Sequence, residues 1–195
     1  MKVFKISICA FLSLCMVFSI FTSRKVEASA NRSAENTGEY LLYLLNDFTK
    51  VINSGEIYDI DAKYDGLSNQ IKKTEATIGK VSGASTRKAL QAKYVRPAKI
   101  ARERVIYEVS QLRLLKSIGK NAIAGKVSGV TTDLLKLDRL KKRAVDIKKA
   151  GNYAAVPGSI NKQLASIEVP LKNGKFAIPD SSVSFSINNY ELDTF

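Results

Sequence analysis

The sequence predicts a mostly α-helical protein: a multi-helix bundle of long helices, followed by a small extended or β appendage at the C-terminus. Apolar residues recur at three- and four-residue steps in four separate stretches between residues 39 and 147, which is the period of one helix face. Each apolar seam is incomplete alone, so the helices need one another to bury it. After residue 153, prolines and alternating apolar residues replace this period.

The first thirty residues predict a secretory signal peptide. Lys2 and Lys5 precede a largely apolar run over Ile6–Phe21, and Ala28-Ser29-Ala30 fits a small-x-small cleavage site. The run is short for a membrane span, so we expect export and cleavage after Ala30. The predicted division is a cleaved signal peptide at 1–30, a helical bundle at 31–152 and an extended appendage at 153–195.

The residue types that are missing exclude several kinds of chemistry. The sequence has no His, and both cysteines, Cys9 and Cys15, lie in the predicted signal peptide. A Ser-His-Asp triad, His-ligated zinc and thiol catalysis are therefore excluded. No phosphate-binding glycine loop, nucleotide fingerprint or nucleophile elbow is present. We expect a protein that is not an enzyme, with no catalytic residues and no cofactor.

Two acidic residues, Asp61 and Asp65, lie four residues apart and so share a helix face, an arrangement that suits a weak cation site. The stretch lacks the glycine and the terminal Glu of an EF-hand loop. No metal site is expected.

The bundle is predicted to begin with a loose arm at Asn31–Gly38 and a helix from Glu39 that stops at Asn53-Ser54-Gly55. A second apolar series over Ile57–Ile78 has the alternating steps of a bundle or coiled-coil seam. The next break is expected at Ser82-Gly83.

The stretch Ser85–Lys120 is predicted to be the central helix. Pro97 lies within it and should kink or divide the helix, because proline removes one backbone donor. A fourth helix is expected between Thr131 and Gly151-Asn152. The seam of the central helix comprises Leu90, Tyr94, Ala98, Ala101, Val105, Val109, Leu112 and Leu115.

The C-terminal segment, residues 153–195, has a different pattern of apolar and turn residues. Asn173-Gly174 stands between the apolar runs Val169-Pro170-Leu171 and Phe176-Ala177-Ile178, which is typical of a β-hairpin. We interpret residues 153–195 as two or three short strands, or as a tail that becomes ordered on a partner.

Charge is unevenly distributed along the expected mature chain. Residues 31–71 carry three basic and seven acidic side chains, whereas residues 72–149 carry 21 basic and six acidic ones, a net charge of +15. Such a segment attracts polyanions. For an exported protein we expect a cell-envelope polymer or a lipid surface, and not a nucleic acid.

Basic residues of the central stretch form a row. If the kink is ignored, five of them fall within about 60° of one another around the helix. We expect Glu103 and Glu108 to pair with Lys99 and Arg104 and to leave the others free, although a charge run is often only a solvated face. A second cluster comprises Lys141, Lys142, Arg143, Lys148 and Lys149. The candidate binding residues are Lys88, Lys99, Arg102, Arg113 and Lys120 of the row and Lys141, Lys142 and Arg143 of the second cluster.

Three motifs resemble a known family: Gly83-Ala84-Ser85-Thr86-Arg87, the run RERVIYE from Arg102 to Glu108, and the ending Lys149-Ala150-Gly151-Asn152. Over about residues 64–152 the chain resembles the helical N-terminal wall-binding region of SbsC-type bacterial surface-layer (S-layer) proteins. The resemblance implies an exported helical bundle that binds an anionic secondary cell-wall polymer through basic residues. S-layer proteins are much longer, so it carries over wall contact and not self-assembly.

Two functions therefore stand as hypotheses. The first is a secreted, non-catalytic protein located in the cell wall that binds an anionic secondary cell-wall polymer through a basic helical face. The second is a secreted helical module that docks on another protein, through the C-terminal appendage, or on an anionic membrane surface. The identity of the polymer or partner and the oligomeric state do not follow from the sequence.

Overall fold

A computed structural model describes the backbone of residues 2–174 and the side chains of residues 27–126 and 128–174. This part of the chain is helical and contains no strand, so the prediction of a mostly helical bundle is confirmed. The elements are α1 (Lys2–Ser54), α2 (Ile57–Gly79), α3 (Ala84–Leu90), a π-helical turn (Gln91–Val95), α4 (Arg96–Ile123), a 3₁₀ turn (Val127–Gly129), α5 (Val130–Gly151) and α6 (Gly158–Lys172).

Helices α1 and α2 form an antiparallel pair joined by a sharp turn. Gly55 makes this turn with φ of +79°, a conformation that glycine adopts without strain. The prediction of a loose arm at residues 31–38 is wrong, because α1 runs through them and Ala34 is fully buried. The backbone carbonyl of Thr37 accepts hydrogen bonds from Gln70 (3.0 Å) and Thr74 (3.1 Å) on α2. These bonds satisfy polar groups of α2 that would otherwise be buried without partners.

Helix α4 is the centre of the bundle and packs against α1, α2, α5 and α6. Most of the seam predicted for the central stretch is confirmed: Tyr94 in the π-helical turn and Val105 and Leu112 in α4 are at most 1% exposed. Leu90 and Ala101 are half-buried. Pro97 lies in the first turn of α4, directly after the π-helical turn. Proline cannot donate to the carbonyl four residues earlier and clashes with it, and the wider π turn accommodates both effects.

The ring of Tyr94 lies against the backbone of α1. A Cβ added to Gly38 would come within 2.5 Å of this ring, so α1 and the π-helical turn can approach only because residue 38 has no side chain. The Tyr94 hydroxyl donates to the Glu39 carboxylate at 2.8 Å. The interpretation of Tyr94 as a core residue is confirmed.

Helix α5 packs on α4 and ends as predicted at Gly151-Asn152, where Asn152 adopts a left-handed conformation with φ of 49°. Of its described side chains, Leu137 and Ala144 are buried. Most of its surface is therefore exposed to solvent.

The prediction of an extended segment is wrong for residues 158–172, which form α6. Apolar residues at helical spacing, Ile160, Leu164, Ile167 and Leu171, join the hydrophobic core. Pro170 had indicated a strand, but it lies in the last turn of the helix.

Helix α6 also caps the turn between α1 and α2. The Gln163 side chain donates to the Gly55 carbonyl at 2.8 Å and accepts from the Ile57 backbone N–H at 3.1 Å. These groups lie at helix ends and have no partner within their own helices. Helix α6 is thus part of the bundle. The second half of the predicted hairpin, Phe176-Ala177-Ile178, lies outside the described residues.

Candidate anion-binding surface

The structure divides the eight predicted binding residues into two groups. Three of them are engaged in ion pairs between helices, which neutralise their charge locally. The pairs are Lys99 with Glu75, Arg113 with Asp61, and Lys141 with Glu168, with N–O distances of 2.6, 2.6 and 2.7 Å.

The other five have no acidic partner among the described residues. Arg102 is half-buried in the bundle, whereas the remaining four are exposed. Lys88 lies on α3, before the π-helical turn, so it does not keep the register with α4 that a continuous α-helix would give. These five residues are Lys88, Arg102, Lys120, Lys142 and Arg143.

The predicted pairs within the central helix are wrong. Glu108 is 2% exposed and binds Lys148 of α5. Glu103 accepts a hydrogen bond from the Tyr153 hydroxyl. Arg104 donates to the backbone carbonyl of Ala154 at 2.9 Å. Contacts with residues distant in sequence form in place of the ion pairs at four-residue spacing. Each of those ion pairs would contribute only a few tenths of a kcal/mol.

The acidic pair Asp61 and Asp65 is occupied by basic side chains of α4. Asp61 accepts from Arg113 at 2.6 Å and from Lys116 at 3.2 Å, and Asp65 lies 3.1 Å from Arg113. The Arg113 guanidinium also lies over the Tyr64 ring, 5.4 Å from its centroid. In the described part of the chain, no three His, Cys, Asp or Glu side chains are grouped closely enough to hold a metal ion.

Glu168 of α6 is a second acidic centre, and it is 6% exposed. Burial would raise the pKa of its carboxyl group. Hydrogen bonds from Lys141 and Lys172, at 2.7 Å each, oppose this effect and hold the pKa below its usual value. Glu168 is therefore ionised at neutral pH, and Lys141 is engaged in holding α5 and α6 together.

The outer side of α5 carries four exposed cations that have no ion-pair partner among the described residues, and one of them, Arg139, donates to the Leu135 backbone carbonyl at 3.4 Å. We call this set the α5 face: Arg139, Lys142, Arg143 and Lys149. All four are exposed, and none lies within ion-pair distance of a described acidic group. They recur at steps of three, one and six residues, so they cover one side of the helix. Arg139 was missed by the sequence reading, although its three-residue distance from Lys142 was a signal for it.

Two exposed apolar side chains lie among these cations. Leu135 and Val145 are 59% and 67% exposed. Asp146, also exposed, falls on the same side of the helix, so the α5 face has a net positive charge with one acidic residue and apolar residues among its cations.

Comparison with known proteins gives one match. Residues 23–99 match the family model described as the SbsC C-terminal domain. No curated protein and no solved structure matches the chain. The match supports the resemblance to SbsC-type S-layer proteins, but it is to a different region of those proteins from the one expected. The expected resemblance was to the N-terminal wall-binding region over residues 64–152, whereas the matched domain is the C-terminal one.

The matched stretch comprises the α1–α2 half of the bundle and ends in the first turn of α4. The α5 face lies outside it. Similarity to a domain of an S-layer protein suggests a structural protein that is located at the cell surface or secreted. A separate observation concerns membranes: among the described residues, no helix is long and apolar enough to cross one.

Proposed function

We propose that this chain is a secreted, non-catalytic cell-surface protein that binds an anionic cell-wall polymer through the α5 face. The observation that carries the proposal is the contrast among its cations. Lys99, Arg113 and Lys141 are neutralised by neighbours, whereas the α5 face has no described acidic partner. Because the matched domain is the C-terminal one, the polymer assignment depends on this charge distribution and not on the family resemblance.

Several weak contacts must act together at such a surface. Each exposed ion pair contributes about 0–1 kcal/mol, and salt screens it over about 8 Å at physiological ionic strength. Four free cations on one side of a helix can contact successive negative charges of a polymer at once. Binding should therefore be multivalent and should weaken steeply as salt is raised.

The test is co-sedimentation of the protein with purified cell walls, before and after chemical removal of the anionic secondary polymer. The variant Lys142→Glu, Arg143→Glu, Lys149→Glu should lose about tenfold or more in affinity, which corresponds to about 1.4 kcal/mol over three contacts. Its helical circular dichroism should be unchanged, because all three side chains are exposed.

The matched control is Lys50→Glu, Lys73→Glu, Lys162→Glu. It changes the net charge by the same amount at three exposed lysines on α1, α2 and α6. If both variants bind alike, net charge and not the α5 face governs binding. Equal binding of the parent protein to intact and stripped walls would refute the polymer as ligand.

A second candidate function is docking of the α5 face on an anionic membrane surface. Leu135 and Val145 favour it, because exposed apolar residues among cations are typical of helices that lie in the lipid interface. Vesicles of phosphatidylcholine, with and without phosphatidylglycerol, distinguish the two functions. Docking on a protein through the C-terminal segment 153–195 stays a prediction, and residues 175–195 of that segment lie outside the described part of the chain.

A further inference from the structure

A series of polar contacts connects α2 and α4, and it has a gap in its middle. At one end Glu75 of α2 pairs with Lys99 of α4. At the other end Asp61 and Asp65 of α2 pair with Arg113 of α4. The two pairs fix the antiparallel register of the helices, so the residues that face each other between them can be identified.

The gap contains cations and a hydroxyl but no acidic group of α2. Moving three residues inward from the Glu75–Lys99 pair on each helix gives Lys72 and Arg102. Ser68 follows one turn further along α2 on the same side, since Asp61, Ser68 and Glu75 are spaced by seven residues. Two positive side chains and one hydroxyl therefore line the gap between the flanking ion pairs.

Two polar atoms in this gap are buried without a partner among the described residues. They are the Nε of Arg102 and the Oγ of Ser68. A buried donor that lacks a partner is costly, so such atoms in a native structure require an explanation, commonly an ion or an ordered water. Here both atoms can donate, and α2 has no acidic residue between Asp65 and Glu75.

Arg102 and its neighbour Glu103 both act on the Tyr64 hydroxyl of α2. Burial raises the pKa of that hydroxyl, the charges of Arg102 and Arg113 oppose the rise, and Asp65 and Glu103 add to it. Glu103 accepts the hydrogen bond of the Tyr153 hydroxyl, whereas the Nε of Arg102 has no partner among the described residues.

We propose that the α2–α4 gap is a binding site for one phosphate group, free or esterified, held by Arg102, Ser68 and Lys72. A phosphate presents several acceptor oxygens and negative charge, which match two cations and a hydroxyl better than water does. This proposal goes beyond the α5 face and is independent of it, since it concerns a discrete site on other helices.

The experiment is a titration of the expected mature chain, residues 31–195, with inorganic phosphate and separately with dimethyl phosphate, followed by amide NMR shifts. Saturable shifts should centre on residues 68, 72 and 102. Tighter binding of inorganic phosphate would assign a free or terminal phosphate as the ligand, and tighter binding of dimethyl phosphate would assign a phosphodiester within a chain.

The variants Arg102→Gln and Ser68→Ala should each weaken binding, by about tenfold for Arg102→Gln, because it removes a charged donor. Lys120→Gln is the matched control: Lys120 is also an unpaired cation of α4, but it lies beyond the Arg113 ion pair, and its removal should leave binding unchanged. Ser68→Ala keeps every charge and serves as the second probe if Arg102→Gln unfolds the protein.

The proposal is overturned if the shifts do not saturate, or if they are equal in the parent protein and in Ser68→Ala. A crystal structure grown in phosphate with only water on the Arg102 Nε and the Ser68 Oγ would also overturn it. Because the test uses small anions, its result does not depend on whether the α5 face binds a wall polymer.

Discussion

Helices α2 and α5 have nearly the same length, 23 and 22 residues, and both are amphipathic, yet the bundle uses them differently. Helix α2 buries seven residues between α1 and α4, whereas α5 buries two. The acids of α2 pair with basic residues of α4. The α5 face has no described acidic partner.

A basic residue cannot be assigned to binding from its helix face alone. Arg113 and Lys142 look alike in the sequence, since both lie off an apolar seam in a basic stretch. Their difference arises from the neighbouring acids: α2 presents Asp61 and Asp65 to Arg113, whereas Lys142 has no described acid within ion-pair distance, although Asp138 and Asp146 lie four residues to either side of it. The neighbours, and not the residue type, determine which cation remains available.

The largest expected effect follows from the difference in burial between α2 and α5. Ile71→Ala in α2 should lower the free energy of unfolding by about 2–5 kcal/mol, because Ile71 is fully buried and its truncation leaves a cavity. Val145→Ala in α5 should change it by less than about 0.5 kcal/mol. Urea denaturation measures both values. Comparable losses for the two variants would show that α5 is covered by something outside the described residues.

The next effect concerns two helical glycines of the α1–α2 pair. Gly38→Ala should lower the free energy of unfolding by about 1–3 kcal/mol, since the new methyl group meets the buried Tyr94 ring. Gly66→Ala should raise it by about 1 kcal/mol, because alanine favours a helix and nothing lies within 4 Å of the new atom. The melting temperatures of the two variants should therefore move in opposite directions. A stabilised Gly38→Ala would contradict the close approach of α1 to Tyr94.

A smaller effect distinguishes a paired from a free cation. Arg113→Ala should cost about 1 kcal/mol of stability, because it leaves Asp61 with Lys116 alone and Asp65 without a partner. Arg143→Ala should change stability by less than about 0.5 kcal/mol. In the wall-binding assay the order should be reversed, with Arg143→Ala the weaker binder. An equal loss of stability for both would mean that Arg143 has a structural partner.

The smallest effect is a dependence on pH at the contact between α5 and α6. Hydrogen bonds from Lys141 and Lys172 keep the pKa of Glu168 below its ordinary value of 4.5 in the folded state, despite burial. This contribution to stability is fully present above pH 4.5 and is lost as the pH falls through the folded-state pKa. Urea denaturation at several pH values between 3 and 6 should show a shallower decline for Glu168→Gln than for the parent protein. Parallel curves would rule out Glu168 as a contributor.

Much of the helical core was accessible from the sequence. The seam of α2 was predicted from Ile57, Ile60, Tyr64, Leu67, Ile71, Thr74 and Ile78; six of these residues are buried, and Tyr64 is half-buried. The ends at Gly55 and Asn152 followed from residues that tolerate left-handed backbone. Helix α6 was not predicted, because proline is unfavourable within a helix and Asn173-Gly174 is typical of a hairpin. The helical spacing of its apolar residues was present in the sequence: Ile160, Leu164, Ile167 and Leu171.

The candidate site was predicted less well. The sequence located the excess of positive charge between residues 72 and 149, but Lys99, Arg113 and Lys141 were predicted as binding residues although each pairs with an acid on a neighbouring helix. Ser68 was not predicted as a site residue, because a serine on a helix face is common in any helix. Only the structure shows that its hydroxyl and the Nε of Arg102 are buried without partners among the described residues.

Local periodicity and turn chemistry are properties of neighbouring residues, so the sequence by itself determined which stretches are helical, which faces are apolar and where the charge accumulates. The pairing of charges depends on which helices lie side by side and in what register. That register is set by the packing of side chains from residues 34 to 171, far apart in the chain. Only the tertiary structure could therefore decide that Lys99 and Arg113 of α4 have acidic partners on neighbouring helices, that the four cations of the α5 face have none among the described residues, and that the Nε of Arg102 is left without a partner.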